Sequence, residues 1–468
     1  MIRFGTDGWR AIIAKDFTFD NVNCVTQATA RWIQHDSITN NGVVIGHDAR
    51  FLGREFSEHC ACTFAEMGIP VKIANTIAPT PAVSWGALAF DAVGIVITAS
   101  HNPPAYNGFK IKAPFGGPAT PDQISAVESH LPSINTPLPL KSFDHYVANG
   151  LIEEINLVDQ YIKDLESKID LAAIRASGIK IAHDAMYGAG MGLVERLLPG
   201  QVVALHAEVN PSFHGQAPEP IERNLPELPK AVVEHGCAVG LANDGDADRI
   251  GMVDERGVFV DSHQMLSLLT WYQSQVKGLK GDVIKTFSTT TMLDKMAEKY
   301  GLGFETRPIG FKHVAERIIS GDVIVGGEES GGLAVKGHIP ERDGLYIGLL
   351  ITEMVVTSGK SLSELIQGLF DEFGLHATWR EDLHTQENLK QAMMDACKAK
   401  KVTQIAGLKV VEWDMLDGVK HIMEDGSWLL VRPSGTEPVL RIYSESSTHE
   451  RAQALVRETV AMVDHPPS

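Results

Sequence analysis

The chain has 468 residues, a length that indicates several domains rather than a single core. Of these residues 44% are hydrophobic and 21% charged, which is ordinary for a folded protein. Its 41 basic and 59 acidic side chains give a net charge of −18, which would repel a nucleic-acid backbone. No apolar run reaches the roughly 20 residues of a membrane span, and an odd number of cysteines is typical of reduced thiols, so we expect a cytoplasmic protein without nucleic-acid or membrane partners.

The predicted elements begin with a turn and continue as βαβ units. Two glycines flank Thr-Asp in the segment 4–10, which predicts a turn that could carry Arg10 into a cleft; a frayed terminus with a solvated Arg10 fits this segment equally well. Short apolar runs on either side of helical patterns predict pairs of strands at 43–46 and 71–74, at 179–182 and 202–205, and near 283–284 and 304–306. Three such units indicate three similar α/β domains, with ligand-facing loops after the carboxyl ends of their strands.

The chain changes character beyond about residue 375, where short strands lie between two helical patterns. We therefore predict an α/β protein in which three similar βαβ-containing domains with mixed sheets surround a central cleft, followed by a smaller C-terminal α+β domain. The predicted domains span 1–145, 146–255, 256–374 and 375–468, and each carries one segment with candidate chemistry.

The first of these segments, 98–110, reads TASHNPPAYNGFK and follows the buried strand predicted at 92–97. Its two prolines cannot continue a helix or a ladder, and Asn107-Gly108 favours a turn, so we expect a fixed loop. Ser100 would then be displayed as a nucleophile beside His101 and Lys110. A surface turn with solvated side chains is the alternative that this segment alone leaves open.

The second segment, 243–249, places carboxylates at alternate positions: Asp244, Asp246 and Asp248. Like charges in a partly buried loop repel one another, so a divalent cation is implied, and all-oxygen ligands favour Mg²⁺ over zinc. An EF-hand calcium loop would need glycine at its sixth position, which here is Arg249. A solvated acidic turn also stays open.

The third and fourth segments carry groups suited to a sugar phosphate. Residues 326–332, GGEESGG, offer two carboxylates and a hydroxyl between glycines, although an exposed glycine-rich hairpin would look similar. Residues 432–438, RPSGTEP, combine two hydroxyls, exposed N–H groups and Arg432, with Arg441 close behind, and so could form a nest for a phosphate dianion. An ordinary connection between two strands is the alternative. The chain lacks a Walker motif.

Together the four segments resemble the α-D-phosphohexomutases, in the family's order and over nearly the whole chain. The resemblance implies Ser100 as a phosphoserine and Mg²⁺ held by Ser100 and the three aspartates of the 243–249 loop. It further implies residues that bind the sugar or its phosphate, and residues that line the active site. The first group is Glu328, Ser330, Arg432, Ser434, Gly435, Thr436 and Arg441, and the second is Arg10, His101, Lys110 and Arg249.

The implied reaction interconverts glucose 1-phosphate and glucose 6-phosphate through the phosphoserine and a 1,6-bisphosphate, with one Mg²⁺ ion and glucose 1,6-bisphosphate as activator. Family members that act on mannose or glucosamine phosphates commonly have the loop GEMSGH or GEQSGH. Here Glu329 occupies the variable position and Gly332 replaces the histidine, so the third segment looks closer to that of glucose-specific members. A bifunctional phosphoglucomutase/phosphomannomutase or a phosphoglucosamine mutase is the alternative. A metal-dependent sugar phosphatase and a non-catalytic sugar-phosphate-binding protein are further ones.

Overall fold

A computed structural model describes residues 2–5, 7–134, 136–433 and 439–466 of the chain. Four β-sheets of seven, five, four and six strands follow one another along these residues. The first three are mixed sheets with helices packed against them, and the last is antiparallel with two helices. The predicted fold class, three α/β units and a smaller C-terminal α+β unit, is confirmed.

The first sheet has the strand order β1-β5-β4-β2-β3-β7, with β6 paired to β5. Its central strands run parallel and bury every residue, as expected for short β-branched runs covered on both faces. The strands are β1 (Trp9–Ile12), β2 (Val43–His47), β3 (Val71–Ala74), β4 (Val93–Ile97), β5 (Tyr106–Ala113), β6 (Gly117–Pro118) and β7 (Ile152–Ile155); the helices are α1 (Phe19–His35), α2 (Gly53–Glu66), α3 (Thr80–Ala89), α4 (Pro121–His130) and α5 (Phe143–Ala148).

The second sheet has the order β12-β11-β10-β8-β9, and the metal-binding candidate loop joins its antiparallel strands β10 and β11. Gly178 and Gly236 end two of its helices in the left-handed conformation, which glycine adopts without steric cost. The strands are β8 (Lys180–Asp184), β9 (Val202–Leu205), β10 (Cys237–Asn243), β11 (Ile250–Asp254) and β12 (Phe259–Val260); the helices are α6 (Leu157–Lys168), α7 (Leu171–Ser177), α8 (Leu193–Leu197) and α9 (Leu228–His235).

The third sheet has the order β14-β13-β15-β16, and the third candidate segment joins β15 to β16. The strands are β13 (Asp282–Thr286), β14 (Gly303–Arg307), β15 (Val323–Gly327) and β16 (Leu333–Val335); the helices are α10 (Ser262–Trp271), α11 (Met292–Tyr300), α12 (Phe311–Ser320), α13 (Gly344–Ser358) and α14 (Leu362–Phe373). Within the described ranges no single helix could cross a membrane; α13 and α14 would pass together on length and composition alone, and they are bent by 84°.

The fourth sheet has the order β17-β22-β21-β20-β19-β18, and residues 434–438, outside the described ranges, connect its neighbouring strands β21 and β22. The strands are β17 (Ala377–His384), β18 (Gln404–Ile405), β19 (Leu408–Asp414), β20 (Val419–Met423), β21 (Trp428–Pro433) and β22 (Val439–Ser446); the helices are α15 (Glu387–Lys398) and α16 (His449–Val463).

The division into domains stays a proposal, with one adjustment that the first sheet suggests. Strand β7 pairs in parallel with β3, so the first sheet continues to Ile155, beyond the predicted boundary at residue 145. We propose that the first domain ends after this strand.

The cores join the first three units more closely than the fourth. One large apolar cluster includes Val44 of the first sheet, Leu241 of the second and Leu349 of α13, whereas the C-terminal sheet packs its own cluster with α15 and α16. A buried polar contact links the fourth unit to the third: the Glu445 carboxylate accepts a hydrogen bond from the Thr291 backbone N–H at 3.1 Å. Within the fourth unit, the same carboxylate accepts one from His376 Nδ1 at 3.0 Å. The first three units therefore share one apolar core, and the fourth has a separate one.

Candidate active site

Ser100 lies on the loop that leaves β4 and is 1% exposed. Its Oγ donates a hydrogen bond to Asp244 Oδ2 at 2.7 Å, so the 98–110 segment and the 243–249 loop meet directly. His101 Nδ1 lies 3.3 Å from the same hydroxyl. Burial and the positive charges of Arg249 and Arg10 lower the pKa of His101 well below its ordinary value, which leaves the imidazole neutral at pH 7.

The expected turn at Asn107-Gly108 is wrong, because both residues lie within β5. A Cβ on Gly108 would come 2.4 Å from the Thr98 carbonyl oxygen and 2.8 Å from that of Trp9. The glycine thus allows two neighbouring backbones to approach closely, and sheet pairing overrides the local turn preference. Lys110 consequently projects from a strand, and Arg10 from β1 beside it.

The three aspartates between β10 and β11 are all buried, and a ligand oxygen from each lies within 4.8 Å of the others. Within the described part of the chain, Asp246 Oδ1 and Asp248 Oδ1 have no hydrogen-bond partner. Buried carboxylate oxygens without donors are costly unless a cation occupies the space between them, so the residues fit a divalent metal. Burial and the charges of its two neighbours also raise the pKa of Asp244 well above its ordinary value.

Lys110 neutralises part of this negative charge. Its Nζ lies 2.8 Å from Asp246 Oδ2, 2.8 Å from Asp7 Oδ2 and 3.1 Å from Asp248 Oδ2. Burial acts to lower the pKa of Lys110, but the three carboxylates outweigh it and raise this pKa above its ordinary value. The ammonium group therefore keeps its proton and serves the site as a fixed positive charge.

Arg342 is a site residue that the sequence reasoning missed. Its Nη2 lies 2.8 Å from Asp248 Oδ2 and also donates to Asp7, and its Nη1 lies 4.0 Å from Glu328 Oε2. The guanidinium thus connects the metal loop (residues 243–249), the N-terminal segment 4–10 and the third candidate segment. The run Glu341-Arg342-Asp343 just before the apolar helix α13 is the one sequence signal that could have indicated it, and Asp7 was visible only as part of a turn.

The predicted active-site arginines both lie beside the loops that meet at Ser100. Arg10 Nη1 donates to Asn102 Oδ1 at 2.7 Å, on the serine loop itself. Arg249 is the last residue of the 243–249 loop; its backbone N–H donates to Asp244 Oδ1 at 3.1 Å, and its Nη1 lies 3.8 Å from Glu219 Oε1. Both guanidinium groups are placed to meet an anionic ligand.

The third candidate segment packs against the start of β11, directly after the 243–249 loop. Ile250 donates its backbone N–H to the Gly331 carbonyl oxygen at 3.1 Å. Burial raises the pKa of Glu328 to about 7, although Arg342 opposes this. The Ser330 hydroxyl is buried and has no hydrogen-bond partner among the described residues. Both side chains are therefore available to polar groups of a ligand.

Of the fourth segment, only Arg432 and Pro433 are described. Arg432 and Arg441 are register partners on β21 and β22, and Arg432 Nε donates to Asp417 Oδ1 at 2.9 Å. Ser434, Gly435 and Thr436 lie outside the described residues. Next to these strand ends, the Arg380 guanidinium lies 5.3 Å from the centre of the Tyr443 ring, which adds an arginine that the sequence did not single out.

The chain matches four family models in succession, described as phosphoglucomutase/phosphomannomutase alpha/beta/alpha domains I, II and III and its C-terminal domain, over residues 1–137, 159–257, 261–373 and 389–462. A “Phosphoglucomutase/phosphomannomutase” of Thermococcus kodakarensis is 31% identical over 98% of both chains. A “Probable phosphoglucosamine mutase” of Methanosphaera stadtmanae is 32% identical over 97% of this chain and 96% of that one.

A solved structure gives the same result. The crystal structure of a “putative phosphomannomutase” from Thermus thermophilus superposes with a TM-score of 0.87, at 35% identity and 99% coverage of both chains. The agreement extends over all four units, including the segments that bring Ser100 and the three aspartates together. The chain is a member of the phosphoglucomutase/phosphomannomutase family of α-D-phosphohexomutases.

Proposed function

We propose that this enzyme moves a phosphoryl group between the 1- and 6-positions of a hexose phosphate by way of phosphorylated Ser100. The observation that carries the proposal is the 2.7 Å contact between the Ser100 hydroxyl and one member of a buried cluster of three aspartates. Phosphoryl transfer needs charge neutralisation, and a cation held by three carboxylates next to the serine would supply it.

The metal of the site is proposed to be Mg²⁺, held by Asp244, Asp246 and Asp248 together with an oxygen of Ser100. When bound, Mg²⁺ supplies charge neutralisation for the oxygens of the transferring phosphoryl group. Lys110 would hold Asp246 in place, and Arg342 Asp248, through the ion pairs described above. Oxygen ligands alone favour Mg²⁺ over zinc or copper.

In the proposed transfer, the phosphorus–oxygen bond to Ser100 breaks while the free hydroxyl oxygen of the sugar forms the new bond. The hydroxyl proton passes in net terms from the sugar to Ser100 Oγ. His101 is the proposed relay, because its neutral imidazole lies 3.3 Å from that oxygen, whereas Lys110 keeps its proton. The resulting 1,6-bisphosphate then reverses its orientation in the cleft and returns its other phosphoryl group to Ser100. Glucose 1,6-bisphosphate would act as an activator because it can phosphorylate Ser100 in the same way.

Glu328 and Ser330 are proposed to bind sugar hydroxyls, and Arg432, Arg441 and the loop residues Ser434, Gly435 and Thr436 to hold the phosphate that is not reacting. Arg432→Ala should therefore raise the KM for the 1-phosphate and the 6-phosphate alike. An unchanged KM for both would refute this role.

The substrate is the part of the proposal on which the sequence and the relatives differ. The resemblance of the GEESGG segment to glucose-specific family members implies glucose phosphates, whereas the relatives described above are named as phosphomannomutases or phosphoglucosamine mutases as well as phosphoglucomutases. We therefore propose a range that includes glucosamine or mannose phosphates besides glucose phosphates. We also keep a cytoplasmic location as a proposal, which the five unpaired cysteines support.

The test is to incubate the protein and its Ser100→Ala variant with Mg²⁺ and the 1-phosphates of glucose, mannose and glucosamine, each with a trace of its 1,6-bisphosphate. We expect 6-phosphates from the wild type, with the fastest conversion identifying the preferred sugar, and none from the variant. Release of inorganic phosphate would indicate a phosphatase instead, and binding without turnover would indicate a sugar-phosphate-binding protein; either result would refute the proposal.

A further inference from the structure

Ser100 has a backbone conformation that its residue type does not favour. Its φ is +52°, in the left-handed region that non-glycine residues seldom occupy. Such a conformation persists only where the surroundings fix it. What holds the peptide groups on both sides of Ser100 therefore decides where its Oγ points.

Arg50 holds the carbonyl side of this loop. Its Nη2 donates to the carbonyl oxygens of Ser100 and Asn102, both at 2.6 Å, and its Nη1 to those of Pro103 and Tyr106, both at 2.9 Å. A guanidinium has five N–H groups, and the fifth, on Nε, donates to Asp48 Oδ2 at 3.1 Å. Every donor of Arg50 is thus used, four of them on the backbone of the serine loop.

Asp48 holds the amide side through one intermediate. Its Oδ2 accepts a hydrogen bond from the Thr98 hydroxyl at 2.5 Å, and the same hydroxyl accepts the Ser100 backbone N–H at 2.8 Å. The Ser100 carbonyl oxygen and the Ser100 N–H are therefore fixed by one ion pair, directly on one side and through Thr98 on the other.

This assembly is closed off from the substrate cleft. Arg50 and Asp48 are 3% and 0% exposed, and the Phe213 ring of the second unit covers the guanidinium at 5.0 Å. A Cβ on Gly245 of the metal loop would come 2.5 Å from the Ser100 carbonyl oxygen, so that loop also packs directly on the clamped peptide. A buried ion pair with this placement reaches the reaction through the Ser100 peptide groups that it holds.

We propose that Asp48, Arg50 and Thr98 are positioning residues that hold Ser100 in the left-handed conformation required for phosphoryl transfer. The inference rests on the proposed function, because it concerns the rate at which Ser100 gains and loses a phosphoryl group. Positioning is a large part of catalysis in such reactions, and a displacement of about 1 Å can lower a rate about 100-fold.

Thr98 allows the sharpest test, because it can be changed with little change in volume. Thr98→Val removes the hydroxyl that links Asp48 to the Ser100 N–H, whereas Thr98→Ser keeps it. Thr29→Val is the matched control, since the Thr29 hydroxyl is equally buried but only donates to the Val25 carbonyl within α1. The measured quantities are the single-turnover rate of transfer from phosphorylated Ser100 to hexose 1-phosphate, the KM and the melting temperature.

We expect Thr98→Val to lower the single-turnover rate by about 10- to 100-fold with KM changed by less than about twofold, and Thr98→Ser to keep the rate within about threefold of the wild type. Equal rates for the valine and serine variants, or a valine variant no slower than Thr29→Val, would overturn the inference. Arg50→Lys, which keeps the charge but offers at most three donors, should slow transfer in the same way. If wild-type Ser100 takes up no phosphoryl group from a hexose 1,6-bisphosphate, the proposed function itself fails.

Discussion

Replacing Lys110 with methionine tests the electrostatic balance of the site most severely. The ammonium group lies within 3.1 Å of three carboxylates and is itself fully buried. Methionine has a similar length and no charge, so Lys110→Met removes the charge with little change in packing. Asp7, Asp246 and Asp248 are then left facing one another around the former position of the charge.

The expected magnitude follows from the partners that remain. Removing one member of a buried ion pair typically costs about 3–5 kcal/mol of stability, because the other member stays buried without compensation. Arg342 still contacts Asp7 and Asp248, so Asp246 is the carboxylate that loses its cation, and the lower end of that range applies. We expect a loss of about 3 kcal/mol without divalent metal.

Metal should reverse part of this loss. A more negative triad binds Mg²⁺ more tightly, and each tenfold gain in affinity adds about 1.4 kcal/mol of stability at saturating metal. The free energy of unfolding would be measured in urea by tryptophan fluorescence, with EDTA and with Mg²⁺. Lys336→Met is the control, since Lys336 and its partner Asp322 are 40% and 65% exposed and their pair should contribute no more than about 1 kcal/mol. A Lys110→Met variant as stable as the control in EDTA, or one that Mg²⁺ stabilises no more than the wild type, would refute this reasoning.

Three other changes probe a glycine and two buried carboxylates. Gly332→Ala places a Cβ 2.4 Å from Arg342 Cδ, so it should displace the guanidinium and lower kcat/KM by about tenfold or more. Gly368→Ala, which has open space around its Cβ, is the control and should leave kcat/KM unchanged; equal kcat/KM values for the two variants would contradict this prediction. Burial acts to raise the pKa of Glu445, but the hydrogen bonds to its carboxylate outweigh burial and lower this pKa. The stability that Glu445 contributes is therefore complete above the unfolded-state pKa of about 4.3 and is lost as the pH falls below that value. The stability difference between the wild type and Glu445→Gln should therefore shrink in acid unfolding titrations; a difference independent of pH would count against it. Because burial raises the pKa of Glu328 to about 7, its carboxylate forms as the pH rises through 7, and the KM for the sugar phosphate should fall over that window in the wild type but not in Glu328→Gln, as parallel pH profiles would show.

The sequence predicted the parts of the molecule that depend on local pattern. Short β-branched runs such as 93–97 are buried on both faces of a sheet, so they predict strands, and the loops that follow them are the natural places for ligand groups. The alternation of aspartates at 244, 246 and 248 likewise predicted a cation site, and the structure places their oxygens close together. Local patterning was sufficient because each of these features lies within a few residues of chain.

The parts that could not be predicted depend on contacts between distant segments. Arg342 reaches Asp7 across more than 300 positions, and nothing in either neighbourhood indicates the pairing. Arg50 likewise acts on a loop about 50 residues away, and its sequence context marks it only as a polar residue after a strand. The turn expected at Asn107-Gly108 failed for the same reason, because pairing with β1 and β4 decided its structure.

The proposed mechanism requires that Ser100 exchanges a phosphoryl group with a hexose phosphate inside a metal site made by the 243–249 loop. This exchange can be followed as the transfer of a radiolabelled phosphoryl group from phosphorylated enzyme to an excess of unlabelled hexose 1-phosphate, with either Mg²⁺ or EDTA present; the label is needed because the 1,6-bisphosphate returns an unlabelled group to Ser100. We expect Ser100 to lose its phosphoryl group to the sugar only with Mg²⁺, and Asp246→Asn to abolish the loss. Transfer at the same rate in EDTA, or loss of the group to water with no phosphorylated sugar formed from it, would contradict the mechanism.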